Sequence, residues 1–371
     1  MSSFPKRVEA LARRLRPYVN PAARRAYREL MARGMSQRRP GEPVVCLDFS
    51  NPAIDAVGGR YYFSLILDLI DAGYFPVMRG RRNTVSTFGT SRVKSLLLER
   101  RLGAVASIEE IGAPYVLISD SAGAVDPKAT KVVHVDYQWR LPRSAEEIPF
   151  PVFVHPQIAV KDQLPVAYDP EGERCARIFF GGNTSEGKYD KNVIGELYSM
   201  LTRREMLDAV CQEVGEENIH RPADARAWLE AGSAEPFVLC ETQVTKIPPE
   251  RWLEALSKGD FFLACPGVGM PLCHNLVEAM AAGAVPILQY SRYLTPELQD
   301  GVNCLSFHDV PSLREVISRV LAMPREEVLR LRRGVKEYFD GQLAPGRFAE
   351  RLVDTSPVES TLLVNSYRVP R

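Results

Sequence analysis

The sequence contains few of the features that mark exported, membrane-spanning or zinc-binding proteins. Its 371 residues include seven cysteines, an odd number without a C-x-x-C pair or a spacing typical of zinc ligands. The N-terminus has no apolar core of a signal peptide. The most apolar long stretch, Tyr61–Met78, is interrupted by Asp68 and Asp71. We therefore expect free, buried thiols in a reducing compartment, no membrane span, and a cytoplasmic protein.

Two sequence motifs of well-known enzyme classes are also missing. There is no G-x-x-x-x-G-K-[ST] loop and no G-x-S-x-G segment, which argues against P-loop phosphoryl transfer and serine hydrolase chemistry. No segment repeats at a fixed period, which argues against a solenoid. With 45% hydrophobic and 25% charged residues, the composition excludes a disordered or collagen-like chain. The length suggests two domains.

Positive charge is concentrated at the N-terminus. Residues 1–40 carry eleven Lys and Arg against two Glu, so the rest of the chain has a net charge of −8 within a total of +1. This distribution argues against nucleic acid as a partner. Apolar residues recur at helical spacing between Val8 and Leu15, and a second helical piece is predicted at Ala22–Arg33. This basic amphipathic segment is either a contact with an anionic membrane surface or acidic acceptor, or a solvated helix packed on the first domain.

Beyond residue 43 the chain alternates between short apolar runs and helical segments, which predicts an α/β fold with parallel sheets covered on both faces. The alternation weakens at 156–175, a Pro-containing stretch, and then restarts. We expect two Rossmann-like doubly wound domains facing each other across a cleft, at 41–165 and 166–342. Strands are predicted at Val44–Phe49, Phe75–Met78, Tyr115–Ile118, Lys131–Val135, Val152–Val154, Arg177–Phe180, Phe237–Leu239, Phe261–Ala264 and Val285–Leu288.

The most informative segment is CPGVGMPLCHNLVEAMAAGAVPI, residues 265–287. It reads as a strand end, a loop with Gly267 and Gly269, and a helix beginning near Pro271. The free N–H groups and the dipole of such a helix favour an anion, most naturally a phosphate. His274, Asn275 and Glu278 follow in the helix, where donors can meet a diphosphate and a carboxylate can meet ribose hydroxyls.

This segment resembles the donor-binding region of GT-B glycosyltransferases, both the group 1 and the exostosin-like enzymes. The shared pattern is Glu278-Ala279-Met280, Gly283 and Pro286-Ile287, and the segment at 300–305, DGVNCL, resembles a further motif of the same families. Two positions depart from the pattern. Met270 stands eight residues before Glu278, where group 1 enzymes have a first glutamate, and His274-Asn275 stands where exostosin-like sequences tend to have Pro-Arg. The donor sugar and the choice between inversion and retention therefore stay open.

Two further segments of the second domain resemble the donor side of GT-B enzymes. After the strand Arg177–Phe180, a polar loop contains Gly182, Asn183 and Lys188, and its cation would neutralise the expelled diphosphate. Residues 241–246 follow another strand and are expected to border the nucleotide through Thr242 and Lys246, with Gln243 as a further candidate.

The first domain carries the acceptor-side candidates. Gly58-Gly59-Arg60 opens a helix and resembles the N-terminal glycine loop of GT-B enzymes, so Gly59 and Arg60 are expected to contact the acceptor. Arg60 could instead hold the donor diphosphate, and a helix cap with a surface arginine is an equal alternative. His134 and Asp136 lie on one side of a strand end, where a general base is needed for inversion.

The resemblance implies a metal-independent transferase without a cofactor, which moves a sugar from a nucleoside diphosphate sugar to a hydroxyl of a glycan or lipid-linked glycan. It also implies that the C-terminal segment, 343–371, crosses back to the first domain. The basic N-terminus would suit polysaccharide biosynthesis at the inner face of a membrane. A nucleotide-sugar epimerase of the same fold and a non-catalytic GT-B-like binding protein are the two alternatives.

Overall fold

A computed structural model describes residues 18–121, 123, 126–161, 164, 168–185, 193–231 and 234–365. The chain divides into two compact units. The first unit contains the residues up to Phe150 together with those from Pro345 onward, and the second unit runs from Pro151 to Ala344. The division after Phe150 precedes the expected junction at 165. The intervening stretch belongs to the second unit because, for example, the backbone N–H of His155 donates a 2.7 Å hydrogen bond to Glu278.

The first unit begins, in the described part of the chain, with helix α1, Pro21–Arg33. The side chain of Asn20 caps this helix by accepting hydrogen bonds from two backbone N–H groups. Its buried face packs on the same unit, where the Tyr27 hydroxyl donates to the Gly80 carbonyl and Arg33 donates to the Leu98 carbonyl. For this piece the structure favours a helix packed on the first unit. The predicted helix around Val8–Leu15 lies outside the described residues.

From β1 to β6, strands and helical segments of the first unit alternate as the sequence predicts. In chain order they are β1 Val44–Asp48, α2 Ala56–Asp71, β2 Phe75–Arg79, α3 Arg82–Val85, β3 Gly103–Val105, β4 Tyr115–Ser119, β5 Ala129–Asp136 and β6 Glu147–Pro149. Short 3-10 turns lie at Pro52–Asp55, Ser86–Gly89, Lys94–Leu97 and Ile108–Ile111.

The second unit repeats the alternation. Its elements are α4 Pro156–Ala159, β7 Ala176–Gly182, α5 Val193–Tyr198, α6 Arg203–Val214, β8 Ile219–His220, α7 Ala225–Ala231, β9 Glu235–Glu241, α8 Trp252–Ser257, β10 Gly259–Leu263, α9 His274–Ala281, β11 Val285–Leu288, β12 Leu305–Ser306, α10 Val310–Ala322 and α11 Arg325–Tyr338. A π-helical turn, Phe339–Leu343, follows α11.

The C-terminal segment completes the first unit. Helix α12, Arg347–Glu350, leads through a π-helical turn, Arg351–Thr355, to strand β13, Glu359–Leu363. Strand β13 lies between β5 and β6 and pairs in parallel with both. The strand predicted at Val152–Val154 is wrong: these residues have no regular structure, and the place beside β5 is taken by β13.

Both sheets are parallel throughout. The first has the order β3-β2-β1-β4-β5-β13-β6 and the second the order β12-β11-β10-β7-β9-β8. The strands β1, β4 and β11 are buried along their length and are apolar except for Asp48 and Ser119 at the ends of β1 and β4, because helices cover both faces of such a sheet. The predicted fold class, two Rossmann-like α/β units, is confirmed. None of the helices in the described part of the chain has the length and hydrophobicity of a membrane span.

Several helix boundaries differ from the predictions. The helix expected from Pro271 begins at His274, with Cys273 as its N-cap, because Pro271 belongs to a turn in which its carbonyl accepts the Gly267 N–H. Helix α1 begins at Pro21, one residue before the predicted Ala22. Thr202 caps α6 through a reciprocal capping box with Glu205.

Candidate functional site

The second unit contains a pocket of about 330 Å³ at the carboxyl ends of β7 and β9 and at the N-terminus of α9. In open α/β sheets this end of the strands, near the point where the strand order reverses, is where ligands bind. Here β7 lies between β9 and β10, and the chain crosses β7 when it passes from β9 to β10. The lining residues are His155, Gln157, Ile158, Gly181, Gly182, Asn183, Arg203, Cys240, Thr242, Thr245, Ile247, Pro249, Trp252, Cys273, His274, Asn275 and Glu278.

The structure brings six of the predicted donor-site residues together in this pocket. They are Gly182, Asn183, Thr242, His274, Asn275 and Glu278. Gly182 is the last residue of β7 and Asn183 follows it, Thr242 follows β9, and the last three residues lie in the first turns of α9. The amide of Asn275 donates a 3.3 Å hydrogen bond to the Gly181 carbonyl, which ties the N-terminus of α9 to the end of β7.

Three other predicted donor-site residues do not line the pocket. Lys246 is exposed and is not among the lining residues, whereas the preceding Thr245 lines the pocket and donates its hydroxyl to the Pro222 carbonyl. Gly267 serves a tight turn, where an added Cβ would lie 2.8 Å from the Met270 carbonyl oxygen. Gly269 belongs to the same loop and is also absent from the lining. Lys188 lies outside the described residues.

Arg203 lines the pocket and carries a positive charge, and it was not predicted from the sequence. It is the first residue of α6, and its guanidinium donates to the Asn183 carbonyl at 2.7 Å and to the Pro266 carbonyl at 3.3 Å. These contacts connect the loops that follow β7 and β10. The T-x-x-E capping box at 202–205 is the sequence signal that could have placed a helix N-terminus here.

Packing limits the space over the two glycines at the end of β7. A Cβ on Gly181 would lie 2.7 Å from two ring carbons of Trp252, and a Cβ on Gly182 would lie 3.1 Å from the Phe180 ring. Trp252, at the start of α8, therefore packs directly over the β7 backbone. The indole ring thus occupies the space over Gly181.

The carboxylate of Glu278 is buried and has two hydrogen-bond donors within the protein. One oxygen accepts the His155 backbone N–H at 2.7 Å, and the other accepts the Trp252 indole N–H at 2.6 Å. Glu278 is 1% exposed, so these bonds satisfy a charge that would otherwise be costly to bury. Ribose hydroxyls that contact Glu278, as the sequence predicts, would have to donate to the same two carboxylate oxygens.

The N-terminus of α9 places a thiol between two cationic or ionisable groups. Burial alone would raise the pKa of Cys273, but the charge and hydrogen bond of His274 and the charge of Arg203 lower it to about 7. The imidazole of His274 in turn packs edge-on against that of His155, with ring centroids 5.3 Å apart. The pocket thus combines a guanidinium, two imidazoles and the N–H groups of a helix N-terminus.

The predicted base candidates lie on β5 of the first unit. The imidazole of His134 is 3.4 Å from the carboxylate of Glu359, an exposed residue of β13. Asp136 is engaged differently: it forms a 2.7 Å ion pair with Arg140, which also pairs with Glu147, and it accepts the Gln138 N–H. The Asp136 carboxylate is thus engaged by hydrogen-bond donors within the first unit.

The predicted acceptor loop has an unusual backbone. Val57, Gly58 and Gly59 all have left-handed φ angles of 55°, 70° and 89°, so the regular part of α2 begins at Arg60, which is half-buried. A β-branched residue rarely adopts this conformation. The side chain of Lys94 packs beneath the loop, where a Cβ on Gly59 would meet its Cγ at 3.1 Å.

Comparisons with known proteins give distant similarities. No family model and no curated protein matches the chain. Among solved structures, it is similar to AviGT4, a glycosyltransferase involved in avilamycin A biosynthesis, with 16% identity, 88% of this chain and 97% of that chain covered, and a TM-score of 0.38. It is also similar to an α-glucosyltransferase in complex with UDP and a 13-mer DNA, with 14% identity, coverage of 84% and 98%, and a TM-score of 0.39. For a glycosyltransferase from Rickettsia africae the identity is 9%, the coverage 85% and 100%, and the TM-score 0.44.

Within the described residues, no group of three or more His, Cys, Asp and Glu side chains could hold a metal ion.

Proposed function

We propose that the chain is a glycosyltransferase whose second unit binds the nucleoside diphosphate part of a nucleotide sugar. The observation that carries this proposal is the convergence of Arg203, His274, Asn275 and the N-terminus of α9 on one pocket at the strand ends. Helix N-termini and guanidinium groups are well suited to phosphate oxygens. The motif at 265–287, which resembles the donor segment of GT-B enzymes, contributes the last three of these features.

In the proposed reaction, a hydroxyl oxygen of the acceptor attacks the anomeric carbon of the sugar. The bond between that carbon and the diphosphate oxygen breaks, and the negative charge collects on the departing nucleoside diphosphate. Arg203 and the helix N-terminus would stabilise this charge, together with Lys188 as predicted from the sequence. We assign no metal ion or cofactor to the step.

The acceptor hydroxyl must also lose its proton, and we propose His134 as the base. Asp136 is the weaker candidate, since Arg140 pairs with its carboxylate. Gly59 and Arg60 are proposed to contact the acceptor, which would be a glycan or a lipid-linked glycan. Replacement of His134 by alanine should abolish transfer and leave nucleotide binding unchanged, because His134 belongs to the first unit and the proposed nucleotide pocket to the second.

The donor site is tested by calorimetric titration with UDP, GDP, ADP, CMP and dTDP. We expect one nucleotide to bind, and Arg203→Lys to weaken that binding about tenfold, since lysine lacks the planar fork of donors. Arg204→Ala is the matched control: the neighbouring arginine of α6 is exposed and pairs with Asp208. Equal loss in both variants would argue against a direct role of Arg203.

Assays on the purified wild-type protein distinguish a transferase from an epimerase and from a non-catalytic binding protein. An epimerase converts the nucleotide sugar without any acceptor, whereas a transferase needs one. If no nucleotide binds at millimolar concentration, a non-catalytic binding protein becomes the better description. We also propose a role in polysaccharide biosynthesis and a contact between the basic N-terminus and an anionic membrane surface. The contact is tested by removing residues 1–17, which leaves α1 in place, and measuring binding to anionic liposomes, which the truncation should weaken.

A further inference from the structure

The carboxyl ends of the central strands in the first sheet carry a cluster of charged side chains that the proposed reaction does not use. The chain passes from β1 to β2 and β3 on one side of β1, and then returns to β4 and β5 on the other side. Open α/β sheets bind ligands at the carboxyl ends of the strands beside such a reversal. Asp48 is the last residue of β1, Arg79 is the last residue of β2, and Arg81 follows two residues later.

Both arginines bind the same buried carboxylate. Nη1 of Arg79 and Nη2 of Arg81 each lie 3.0 Å from Oδ2 of Asp48, and Nε of Arg81 donates to Oδ1. Burial raises the pKa of Asp48, but the hydrogen bonds and charges of Arg81 and Arg79 outweigh burial and lower the pKa. The Asp48 side chain is 5% exposed, whereas those of Arg79 and Arg81 are 39% and 32% exposed. One buried negative charge thus holds two positive charges at the edge of the sheet.

The two guanidinium groups keep donors that no protein atom accepts. Among the described residues, no acceptor is bonded to Nη1 of Arg81 or to Nε and Nη2 of Arg79. Because both groups are tied to one carboxylate oxygen, they are neighbours whose positions are fixed before any ligand binds. Planar guanidinium groups with fixed N–H donors are well suited to anions with several oxygens, above all phosphate.

The second carboxylate at this edge, Asp120, is occupied by other donors. It follows β4 and accepts the backbone N–H groups of Ser50 at 2.7 Å and Asn51 at 2.8 Å. It also accepts the hydroxyls of Ser50 at 2.9 Å and Tyr137 at 2.8 Å. Its charge acts on Arg81, but in the described part of the chain it forms no hydrogen bond with either arginine. The remaining guanidinium donors are therefore left for a ligand.

The proposed base lies in the same row of residues across the sheet. The register pairs Asp48 with Ser119 of β4, and Ser119 with His134 of β5. Two strand spacings separate Asp48 from His134, which is about 10 Å. One acceptor molecule could therefore place a hydroxyl at His134 and an anionic group at the two arginines.

We propose that Arg79 and Arg81 bind a phosphate group of the acceptor. The terminal oxygens of the phosphate accept from the free guanidinium N–H groups, and Asp48 is the positioning residue for both arginines. A phosphate offers more oxygens than a carboxylate, so it can accept from both guanidinium groups at once. The inference rests on the proposed function, since it takes the first unit as the acceptor-binding unit. A phosphorylated soluble sugar and the phosphate of a lipid-borne acceptor offer the same oxygens.

The anion site is tested on the full chain by phenylglyoxal modification of arginine, followed by mass spectrometry of each peptide. Inorganic phosphate is the probe, with sodium chloride at equal ionic strength as the reference. We expect phosphate at about ten times its Kd to slow the modification of Arg79 and Arg81 about tenfold. Arg101 is the matched control, because it is 36% exposed and pairs with the buried carboxylate of Glu42 at the amino end of the same sheet. Its rate should not change.

Equal slowing at Arg79 and Arg101, or no slowing at either, would overturn the site, and this measurement needs no variant that folds. Slowing by acetate as strong as that by phosphate would overturn the assignment to phosphate. The source is distinguished with glucose 6-phosphate and with phosphatidylcholine vesicles that contain phosphatidic acid. Protection by the sugar phosphate alone supports a soluble acceptor, and protection by the vesicles alone supports a lipid-borne one. Protection by neither would overturn the assignment to an acceptor.

The link to transfer is tested with Arg79→Gln, in which Arg81 keeps both of its contacts with Asp48. We expect the KM for a phosphorylated acceptor to rise at least about tenfold, with nucleotide binding unchanged. Arg101→Gln should alter neither. Transfer with an unchanged KM in Arg79→Gln would overturn the role in acceptor binding. If the wild type binds no nucleotide, the proposed function fails, while the protection experiment still decides whether the two arginines form a phosphate site.

Discussion

The indole N–H of Trp252 donates a 2.6 Å hydrogen bond to the buried carboxylate of Glu278. The ring of the same tryptophan lies over Gly181, and the second oxygen of Glu278 accepts the His155 N–H. One pair of side chains thus joins the segment before β7, the end of β7, and the helices α8 and α9. Because both residues line the pocket, its shape depends on this bond.

The Trp252–Glu278 bond can be measured by a double-mutant cycle. Trp252→Phe retains an aromatic ring but leaves one buried carboxylate oxygen without its donor, and Glu278→Gln places an amide against one of the two N–H groups. We expect each change to lower the free energy of unfolding by about 1–3 kcal/mol. The double variant should lose less than the sum of the two, since the partners contact each other. Additive losses in chemical denaturation would show that the bond contributes little.

Gly181 should tolerate no side chain. In Gly181→Ala the new Cβ would lie 2.7 Å from the Trp252 ring, so the ring must move into the pocket or the β7 backbone must shift. Overpacking of this kind costs about 1–3 kcal/mol, and nucleotide binding should fall with it. Gly341→Ala is the control, because no atom lies within 4 Å of its added Cβ. Thermal unfolding of both variants and their titration with the nucleotide that the wild type binds measure the effect, and an unaffected Gly181→Ala protein would contradict the packing argument.

The parts of the fold that the sequence predicts are those determined locally. The buried run Val285–Leu288 is apolar over its whole length and forms a strand with the predicted bounds. Strand β13 was not predicted because it exists only through pairing with β5 and β6, more than 200 residues earlier in the chain. Its own sequence, ESTLL, has too few apolar residues to identify it as a central strand.

The candidate site shows the same division. His274 and Asn275 were predicted because a glycine loop before a helix is a local signal. Arg203 was missed because its position depends on carbonyl groups of two other loops, those of Asn183 and Pro266. The close packing of Trp252 on Gly181 likewise joins residues 71 positions apart, and no spacing in the sequence indicates it.

Lys94 is predicted to stabilise the first unit through a buried ion pair. Its side chain is 0% exposed, pairs with Asp55, and lies 4.8 Å from the ring centre of Tyr62. Burial lowers the pKa of this ammonium, and the charge of Asp55 opposes the shift. Lys94→Met leaves Asp55 unpaired and should cost about 3–5 kcal/mol, as breaking one partner of a buried pair does. Adding Asp55→Asn should recover part of the loss in denaturant unfolding, and a double variant less stable than Lys94→Met would contradict the pairing.

Asp68 is predicted to make the stability of the first unit depend on pH. Its buried carboxylate accepts the backbone N–H groups of Gly346 and Ala349, both at 2.7 Å, and so holds the start of α12. Burial raises the pKa of Asp68 to about 7, although these two hydrogen bonds and the charge of Arg351 lower it and Asp71 raises it further. In the unfolded chain the pKa is about 3.9. Between about pH 3.9 and pH 7, Asp68 is therefore protonated in the folded chain and ionised in the unfolded chain.

The stabilisation from this proton is therefore complete below about pH 4 and disappears as the pH rises through 7. Asp68→Asn cannot titrate, so the stability of the wild-type protein relative to this variant should fall by up to about 4 kcal/mol between pH 4 and pH 8. Asp71→Asn, on the same helix but without these backbone contacts, serves as the control and should retain the pH dependence. Thermal unfolding across this range measures the effect. Parallel pH profiles of the wild type and Asp68→Asn would show that Asp68 is ionised in the folded chain throughout, and that its two backbone hydrogen bonds outweigh its burial.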